Sequence, residues 1–198
     1  MTAFLNSSRF PSSLSSLSSL SMITAITLLS VGCGAGSKQS ETKDTTPTEH
    51  FGKVNSCTDG DTCSIKLDND LSNLKVRLIG IDAPETSHGP TEDGQPFGQE
   101  ARDHINSLVK GKAVRIVAID TDRYGRTLGE MYVGTVLVNV GMLKAGLAQT
   151  YIWDKDDINA NTYVSAETKA QKDEKGIWSL DSFESPEDYR RRLREAAE

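Results

Sequence analysis

The sequence lacks an excess of positive charge. It has 28 Asp and Glu residues against 22 Lys and Arg residues, and its net charge is −6 at pH 7. A protein that captures nucleic acid through its overall electrostatic field carries a basic surface. The composition therefore excludes that mode for the chain as a whole, and any contact with nucleic acid has to be made by a few local cations.

The residues that build several common catalytic and metal motifs are also scarce. The chain has three Cys and three His, and the His are scattered, so that each is expected to be a surface residue rather than a ligand. The sequence contains no Cys/His metal set, no Ser-His-Asp arrangement, no phosphate-binding P-loop and no internal repeat. These absences leave clusters of acidic and cationic side chains as the candidates for chemistry.

A long apolar run is missing as well. The stretch MITAITLLSV, residues 22–31, is too short for an ordinary transmembrane helix. With the small residues SVG before Cys33, it is typical of an export signal over residues 1–32. We expect an exported protein that is anchored in a membrane through a lipid on Cys33.

The lipoprotein pattern leaves one alternative open. Ser30 stands where such signals usually have Leu, and a plain secretory signal cut near Ala35 or Gly36 would fit the same segment. The protein would then be secreted or periplasmic instead of anchored. In either case residues 33–50 are rich in Ser, Thr, Lys and Glu, lack apolar periodicity and are predicted to be a flexible tether.

The remaining chain predicts one α+β domain over residues 51–180 and a charged helical tail over 181–198. Asp59-Gly60 separates two strand-like segments, and LKVRLIGID, AVRIVAID and GEMYVGTVLV add further β-branched runs. Helical periodicity appears in GQEARDHINSLVKG and over residues 163–175. Several short strands interrupted by helices indicate a small closed β-barrel of the OB type with helices packed on it.

The tail carries a helix start signal. Ser185 is a candidate N-cap, Pro186 fits the first helical position, and Asp188 follows three residues after the cap. This capping-box arrangement predicts that SPEDYRRRLREAAE is helical.

Three short segments hold the candidate functional residues. In DGDT, Asp59 and Asp61 flank a turn, where a carboxylate can ligate a hard cation if other ligands arrive from elsewhere. When this segment is considered by itself, the better interpretation is a hairpin turn whose two acids face solvent. More than one segment is needed to make a site.

The segment RLIGIDAPE sets Asp82 and Glu85 beyond the end of an apolar strand, with Arg77 five residues before Asp82. In an extended chain Arg77 and Asp82 point to opposite faces, so a bend or bulge is needed to bring both to one substrate. The alternative is an exterior cation and an acid that caps a loop.

The segment TDRYGRTLG is a glycine-containing turn with Arg123 and Arg126 beside Tyr124, and its alternative is an ordinary polar hairpin end. Together the three segments contain what phosphodiester hydrolysis requires. Carboxylates hold a divalent cation, arginines stabilise charge on phosphorus, and one further Glu positions or deprotonates water.

Several short segments occur along the chain in an order that resembles the thermonuclease family, the staphylococcal-nuclease-like domains, over nearly all of residues 51–180. The segments that carry the resemblance are DGDT, RLIGIDAPE, FGQEA, DRYGR, GLAQTYIW and IWS. The resemblance implies an OB-fold five-stranded β-barrel with about three packed helices. It also implies a calcium-dependent nuclease that acts on DNA and RNA and leaves 3′-phosphate ends.

The resemblance assigns roles to individual residues. Asp61 and Asp82 would be the calcium carboxylates, and Ala83, where the family often has Thr, would supply its backbone carbonyl. Glu85 would be the general base or the residue that orients water. The phosphate and transition-state cations would be Arg77 and Arg126.

Further positions match more peripheral roles. Asp59 corresponds to an acid near the metal that does not ligate it directly. Arg123, Tyr124 and Tyr151 fall where the family contacts the terminal phosphate and the base. Trp153 replaces a usual Tyr, which keeps a face for stacking.

Two cysteines bracket the acidic turn and are not part of the family's general pattern. If Asp59-Gly60-Asp61 forms the turn, Cys57 and Cys63 are equidistant from Gly60 and can face each other across the hairpin. Outside the cytoplasm that geometry favours a disulfide that braces the turn. The alternative is two reduced, small core residues.

Two rival functions remain open at this point. One is an OB-type nucleic-acid-binding module without catalysis, which the acid set disfavours because a binding module needs cations and aromatics but no carboxylate cluster. The other is a structural lipoprotein, supported by the signal alone. No protein partner is implied and a monomer is expected; the acidic composition predicts weak, salt-sensitive capture of DNA and RNA.

Overall fold

The computed structural model describes residues 47–70, 72–87, 89, 94–151 and 159–198. Its strands are β1 (Thr48–Cys57), β2 (Thr62–Leu67), β3 (Asn73–Leu78), β4 (Gly80–Asp82), β5 (Ala113–Thr121), β6 (Thr127–Val133), β7 (Val136–Leu137) and β8 (Gln149–Tyr151). Its helices are α1 (Gly98–Val109), α2 (Val138–Lys144), α3 (Ala160–Lys172) and α4 (Pro186–Ala196), and a short 3-10 helix spans Gly176–Ser179.

Five of the strands close into a mixed barrel. β1 pairs antiparallel with β2 and β5, β2 with β3, and β5 with β6. A parallel pairing between β3 and β6 closes the ring, while β7 pairs antiparallel with the end of β6 and β4 pairs antiparallel with β8. Closure satisfies the edges that an open sheet would expose. The prediction of an α+β fold with an OB-type five-stranded barrel is confirmed.

The barrel interior and the helix α1 share one apolar core. Val54, Ile65, Val76 and Ile116 alternate with more exposed neighbours along their strands, as period-two patterning requires. The helix contributes its buried face through Ala101, Ile105 and Val109. The core therefore lies between the inner barrel face and the helices, which leaves the ends of the strands for the site.

Two element boundaries differ from the sequence-based expectation. β1 begins at Thr48, so residues 48–50 of the expected tether instead pair with β5, because ladder hydrogen bonds hold a segment that has no apolar pattern of its own. α3 spans Ala160–Lys172 rather than 163–175. It ends early because Glu174 adopts φ +50° and Lys175 donates its backbone N–H to the Ala170 carbonyl. That is a Schellman ending with Glu where Gly is usual.

Several expectations fall on residues that the structure does not describe. The signal segment 1–32, Cys33, most of the tether and Trp153 lie outside the described residues. Within the described ranges, none of the helices combines the length and apolar character that a bilayer crossing requires.

Candidate active site

The acidic turn sits at the end of a braced hairpin. Cys57 and Cys63 are opposite each other in the β1–β2 register and form a disulfide, with Cα atoms 3.9 Å apart. Between them, the Asp59 side chain accepts a hydrogen bond from the backbone N–H of Asp61 at 3.1 Å. Asp59 therefore shapes the turn, while the Asp61 side chain is left to face the rest of the site.

Gly60 lets this turn pack closely on the domain. A Cβ atom at this position would lie 2.5 Å from the Ala83 Cβ and 2.8 Å from the Ala101 Cβ, distances that real side chains do not tolerate. The turn is thus pressed between the end of β4 and the helix α1. As a result Asp61 is buried, with 3% of its surface exposed.

A bend between β3 and β4 brings the second segment to the same place. Gly80 adopts φ +73°, which turns the chain between Arg77 and Asp82. Arg77 Nη2 lies 2.6 Å from Asp82 Oδ1, and Arg77 Nη1 forms an ion pair with Asp61. The bend that the spacing of these residues requires is therefore present at Gly80.

Backbone contacts fix the position of the third carboxylate. The Glu85 N–H donates to the Gln95 side-chain carbonyl at 3.0 Å, and the Gln95 N–H donates to the Glu85 carbonyl at 2.8 Å. Gly98 lies so close to the Glu85 carbonyl that a Cβ atom there would collide with it. The first residue of α1 and buried Gln95 thus hold the Glu85 backbone, while its side chain stays partly exposed.

We refer to Asp61, Asp82, Glu85 and Arg77 as the acid pocket. Asp82 is 1% exposed and its neighbour Ala83 is 3% exposed. The Ala83 N–H donates to Asp61 Oδ2 at 2.9 Å, which links the acidic turn to the end of β4. Three carboxylates from two separate segments therefore converge at one end of the barrel.

A second arginine enters the acid pocket from the C-terminal helix. Arg190 Nη2 lies 2.9 Å from Asp82 Oδ2, and its Nη1 lies 3.2 Å from Asp82 Oδ1 and 2.5 Å from Glu85 Oε1. Burial alone would lower the pKa of Arg190, but the hydrogen bonds and charges of Asp82 and Glu85 raise it above its ordinary value. The guanidinium is therefore a permanent cation in the pocket.

Sequence reasoning missed Arg190, because it treated residues 181–198 only as a charged helical tail. The helix itself forms as expected: Ser185 accepts from the Asp188 N–H at 3.1 Å, and Pro186 occupies the first turn. Nothing in the run RRRLRE distinguishes the arginine that meets the acids from its three neighbours. Only the placement of α4 selects Arg190.

The third segment forms a compact unit that we call the arginine turn, residues 122–126. Asp122 Oδ1 accepts the backbone N–H groups of Tyr124 and Arg126, both at 2.9 Å, and its Oδ2 accepts the Arg126 Nε–H at 2.7 Å. Asp122 was not singled out from the sequence. Its position four residues before Arg126 in a glycine turn is the signal that could have found it.

The turn's aromatic side chain faces solvent between two cations. Tyr124 is 70% exposed, and the guanidinium carbons of Arg123 and Arg126 lie 4.9 and 5.7 Å from its ring centroid. An exposed ring flanked by arginines presents a stacking face and two phosphate-binding cations together.

Strand register relates the arginine turn to the acid pocket. In the parallel β3–β6 pair, Thr127 is opposite Val76 and Leu128 is opposite Arg77. Arg126 therefore comes just before the part of β6 that pairs with Arg77 and its neighbour on β3. Tyr151, which is partly buried, pairs with Gly80 across β8 and β4, two residues from Asp82. Of the sequence-predicted site residues, Trp153 alone falls in the undescribed segment 152–158 next to this strand.

The acid pocket fits a hard cation by its donor chemistry. Among the described residues, no group of three or more His, Cys, Asp or Glu side chains is arranged around a common ligand position. Instead, the three carboxylates are bridged by the guanidinium groups of Arg77 and Arg190. The oxygen donors of this set are those that calcium or magnesium prefers, but an ion could use Asp82 only by displacing guanidinium contacts from it.

Comparison with known proteins identifies the family. The model of the family described as staphylococcal nuclease homologue matches residues 75–180, a little over half of the chain. A probable staphylococcal-like nuclease, CAN1 of Oryza sativa subsp. japonica, is 36% identical over 118 residues, which is 59% of this chain and 32% of the relative. Endonuclease YhcR of Bacillus subtilis (strain 168) is 33% identical over 156 residues, or 73% of this chain and 13% of the relative.

A fungal relative shows the same pattern of partial coverage. The probable endonuclease LCL3 of Eremothecium gossypii is 32% identical over 130 residues, 62% of this chain and 47% of the relative. The chain thus spans less than half the length of each of these three relatives. The matched region contains Arg77, Asp82, Glu85 and Arg126, and the closed barrel agrees with it. This chain belongs to the family of staphylococcal nuclease homologues.

Proposed function

We propose that the protein is a calcium-dependent nuclease that hydrolyses phosphodiester bonds in DNA and RNA and leaves 3′-phosphate ends. The observation that carries the proposal is the convergence of Asp61, Asp82 and Glu85 with Arg77 at one end of the barrel. Membership of a nuclease family and relatives named as nucleases support the same reaction class. A module that only bound nucleic acid would have no use for three carboxylates in one pocket.

The cation would be held by Asp61, Asp82 and the backbone carbonyl of Ala83. Calcium suits this site better than magnesium, because it accepts flexible oxygen coordination in a pocket built from a turn and a bend. When bound, the ion would polarise the phosphoryl oxygens and offset their negative charge.

The remaining chemistry falls to side chains of the protein. Glu85 is partly exposed and its backbone is fixed by Gln95, so its carboxylate can accept a proton from an attacking water or orient that water. Attack of the water oxygen on phosphorus, with cleavage of the bond between phosphorus and the 5′ oxygen, would leave the 3′-phosphate, and the departing 5′ oxygen would take a proton from solvent. Arg77 and Arg126 would stabilise the charge that develops on the phosphoryl oxygens.

Substrate capture would depend on local contacts. Tyr124 offers an exposed ring for stacking and Arg123 a neighbouring cation, with Tyr151 and Trp153 as further base-contact candidates. Because the whole chain is acidic, these contacts have to act against the overall field, so binding should be weak and should fall with salt in proportion to the number of phosphates contacted.

For location, we propose export with a lipid anchor at Cys33, with simple secretion as the competing outcome. The support is the sequence of residues 1–33 alone. Mass spectrometry of the mature N-terminus, beside membrane fractionation of a Cys33→Ser variant, tests it. An unmodified N-terminus beyond Cys33 would favour secretion.

The experiment that tests the function is digestion of plasmid DNA and RNA in calcium, in magnesium or in excess chelator, with analysis of the product ends. We expect cleavage of both substrates in calcium, far slower cleavage in magnesium, none in chelator, and 3′-phosphate products. Full activity in chelator would exclude the metal-dependent mechanism. Tight binding of nucleic acid with no cleavage in any condition would favour a binding module.

A further inference from the structure

The C-terminal helix α4 lies beyond the residues that match the family model, yet it reaches the centre of the candidate site. The family match ends at residue 180, whereas Arg190 on α4 contacts Asp82 and Glu85 in the acid pocket. The helix thus adds a cation to the pocket from a part of the chain that the matched region does not include.

The contacts of Arg190 use the oxygens that a metal ion would need. Both oxygens of Asp82 accept hydrogen bonds from Arg190, and Asp82 Oδ1 also accepts one from Arg77. A carboxylate oxygen has only two lone-pair directions, so little acceptor capacity is left on Asp82. A divalent cation bound there would also lie within a few ångströms of a guanidinium that cannot give up its charge.

The helix α4 buries few of its residues, so it can separate from the domain without exposing a large apolar surface. Two of its 11 residues, Pro186 and Tyr189, are buried, while Leu193 is 38% exposed. A cleft of about 580 Å³ is lined by Tyr189, Arg192 and Leu193 of the helix together with residues of the segments 94–96 and 180–184. Besides the Arg190 hydrogen bonds to Asp82 and Glu85, the Gln95 side-chain amide donates to the Glu184 carbonyl at 2.8 Å, just before the helix begins.

We propose that α4 is an autoinhibitory latch, in which the Arg190 guanidinium occupies the cation position of the acid pocket and docking of α4 and calcium binding exclude each other. The proposal rests on the proposed function, because it requires the acid pocket to be a calcium site. With the latch closed, Arg190 engages Glu85, and Arg190 and Arg77 together occupy three of the four lone-pair directions of Asp82. With the latch open, both carboxylates are available to the ion and to water.

Linkage makes the proposal measurable without any assay of activity. If docking and calcium binding exclude each other, calcium weakens docking by the same factor by which docking weakens calcium binding. Removal of the Arg190 charge should therefore tighten calcium binding by the inverse of the fraction of molecules in which the latch is open, about 10-fold if that fraction is about a tenth.

The first arm of the test is a calorimetric titration of calcium into the full chain without substrate. We compare the unaltered protein, Arg190→Gln and the matched control Arg191→Gln. Arg191 is on the same helix and loses the same charge, but it is 57% exposed and pairs with Asp188 and Glu195 on α4 itself. We expect tighter binding in Arg190→Gln and unchanged binding in Arg191→Gln.

The second arm separates the latch from a simple charge effect. Tyr189→Ala keeps every charge but loosens the seat of the helix, so it should also tighten calcium binding. In the unaltered protein, saturating calcium should increase amide hydrogen exchange along residues 186–196 and leave α1 unchanged. Circular dichroism of each variant checks that the barrel is folded, and the exchange measurement needs no variant at all.

The outcomes distinguish the latch from the function on which it rests. Calcium that binds equally to all proteins, with exchange in α4 unaltered, overturns the latch and leaves the calcium site standing. If neither the unaltered protein nor any variant binds calcium, the acid pocket is not a calcium site and both proposals fail. Tighter binding in Arg190→Gln and Tyr189→Ala, together with faster exchange in α4, supports the latch.

Discussion

Arg77 of the acid pocket lies on β3, and the arginine turn precedes β6, the strand that pairs with β3, but the two regions are held together by different means. The pocket is assembled from the β1–β2 turn, the β3–β4 bend and the loop before α1, and Arg190 of α4 contacts it, so these contacts join residues as far apart as Asp82 and Arg190. The arginine turn is five consecutive residues organised by one side chain, Asp122. Asp61 and Asp82 of the pocket are buried, whereas Arg123 and Tyr124 of the turn face solvent.

This difference assigns different work to the two regions. Buried carboxylates in a shared network can hold an ion and tune a proton transfer, but they depend on every segment being in place. An exposed, locally built turn can meet a substrate from solvent without disturbing the rest of the fold. In the proposed mechanism the pocket therefore holds the ion and activates water, while the turn captures the substrate and stabilises its charge.

The largest expected effect comes from the proposed base in the acid pocket. Glu85→Gln keeps the shape of the side chain and removes its ability to take a proton, so kcat should fall by about 10²–10⁴-fold. Steady-state rates on single-stranded DNA measure it. Glu100→Gln, an exposed acid on α1, is the matched control and should cleave normally. A wild-type rate in Glu85→Gln would show that the base is elsewhere.

A comparable but smaller loss is expected in the arginine turn. Arg126→Ala removes a cation that matters most when charge develops on the phosphoryl oxygens, so kcat should fall by about 10²–10³-fold. Nucleotide binding, measured by calorimetry with a nucleotide bisphosphate, should change far less. Arg102→Ala on α1 removes an equally charged side chain from another surface and serves as the control. If Arg126→Ala weakens nucleotide binding by the same factor as it lowers kcat, Arg126 acts only in binding the substrate and not in stabilising the transition state.

Removal of the Cys57–Cys63 disulfide measures how much this bond stabilises the domain that carries the acidic turn. Replacement of both Cys57 and Cys63 by Ser should lower the free energy of unfolding by an amount near the low end of about 2–4 kcal/mol, because the closed loop is short. Urea unfolding of the double variant measures the loss, and the unaltered protein in reductant should match it. Equal stability with and without the bond would mean that the turn needs no brace.

The sequence predicts the strands of the barrel better than it predicts the geometry of the acid pocket, and the reason is physical. Hydrophobic alternation and turn residues predicted the barrel strands, and the spacing of Arg77 and Asp82 indicated that a bend had to lie between them. The bend itself depends on the positive φ of Gly80, and the burial of Asp61 depends on the contact of Gly60 with Ala83 and Ala101. Such long-range packing leaves no local pattern in the sequence.

The contact that the sequence could not predict at all is the one between Arg190 of α4 and the acid pocket. The capping signal at Ser185 predicted α4 correctly, but a helix start says nothing about what the helix contacts. Which of four nearby arginines meets Asp82 is decided by the docking angle of the helix. By contrast, Asp122 and Arg126 are four residues apart, so their pairing is within reach of a sequence argument.

The smallest expected effect is the pH response of the arginine turn. Burial would raise the pKa of Asp122, but hydrogen bonds from Arg126 and Tyr124 and the Arg126 charge lower it below the ordinary value of 3.8. Because the folded pKa is lowered, the stabilisation by Asp122 is present above about pH 3.8 and is lost as pH falls through the lowered value. Carboxyl NMR titration should show the Asp122 pKa rising towards 3.8 in Arg126→Ala. An unchanged pKa in that variant would mean that Arg126 does not anchor the turn.

The central claim, that Asp61 holds the cation while Glu85 acts on water, is tested most directly by the rate of single-stranded DNA cleavage as a function of free calcium. Asp61→Asn keeps an oxygen that can accept from the Ala83 N–H but loses the charge, so its half-saturating calcium concentration should rise and high calcium should restore part of the rate. Glu85→Gln should reach half-saturation at a calcium concentration no higher than the unaltered protein needs, with a plateau that calcium does not restore. A wild-type calcium requirement in Asp61→Asn, or a plateau in Glu85→Gln that rises to the wild-type rate at high calcium, would contradict the account.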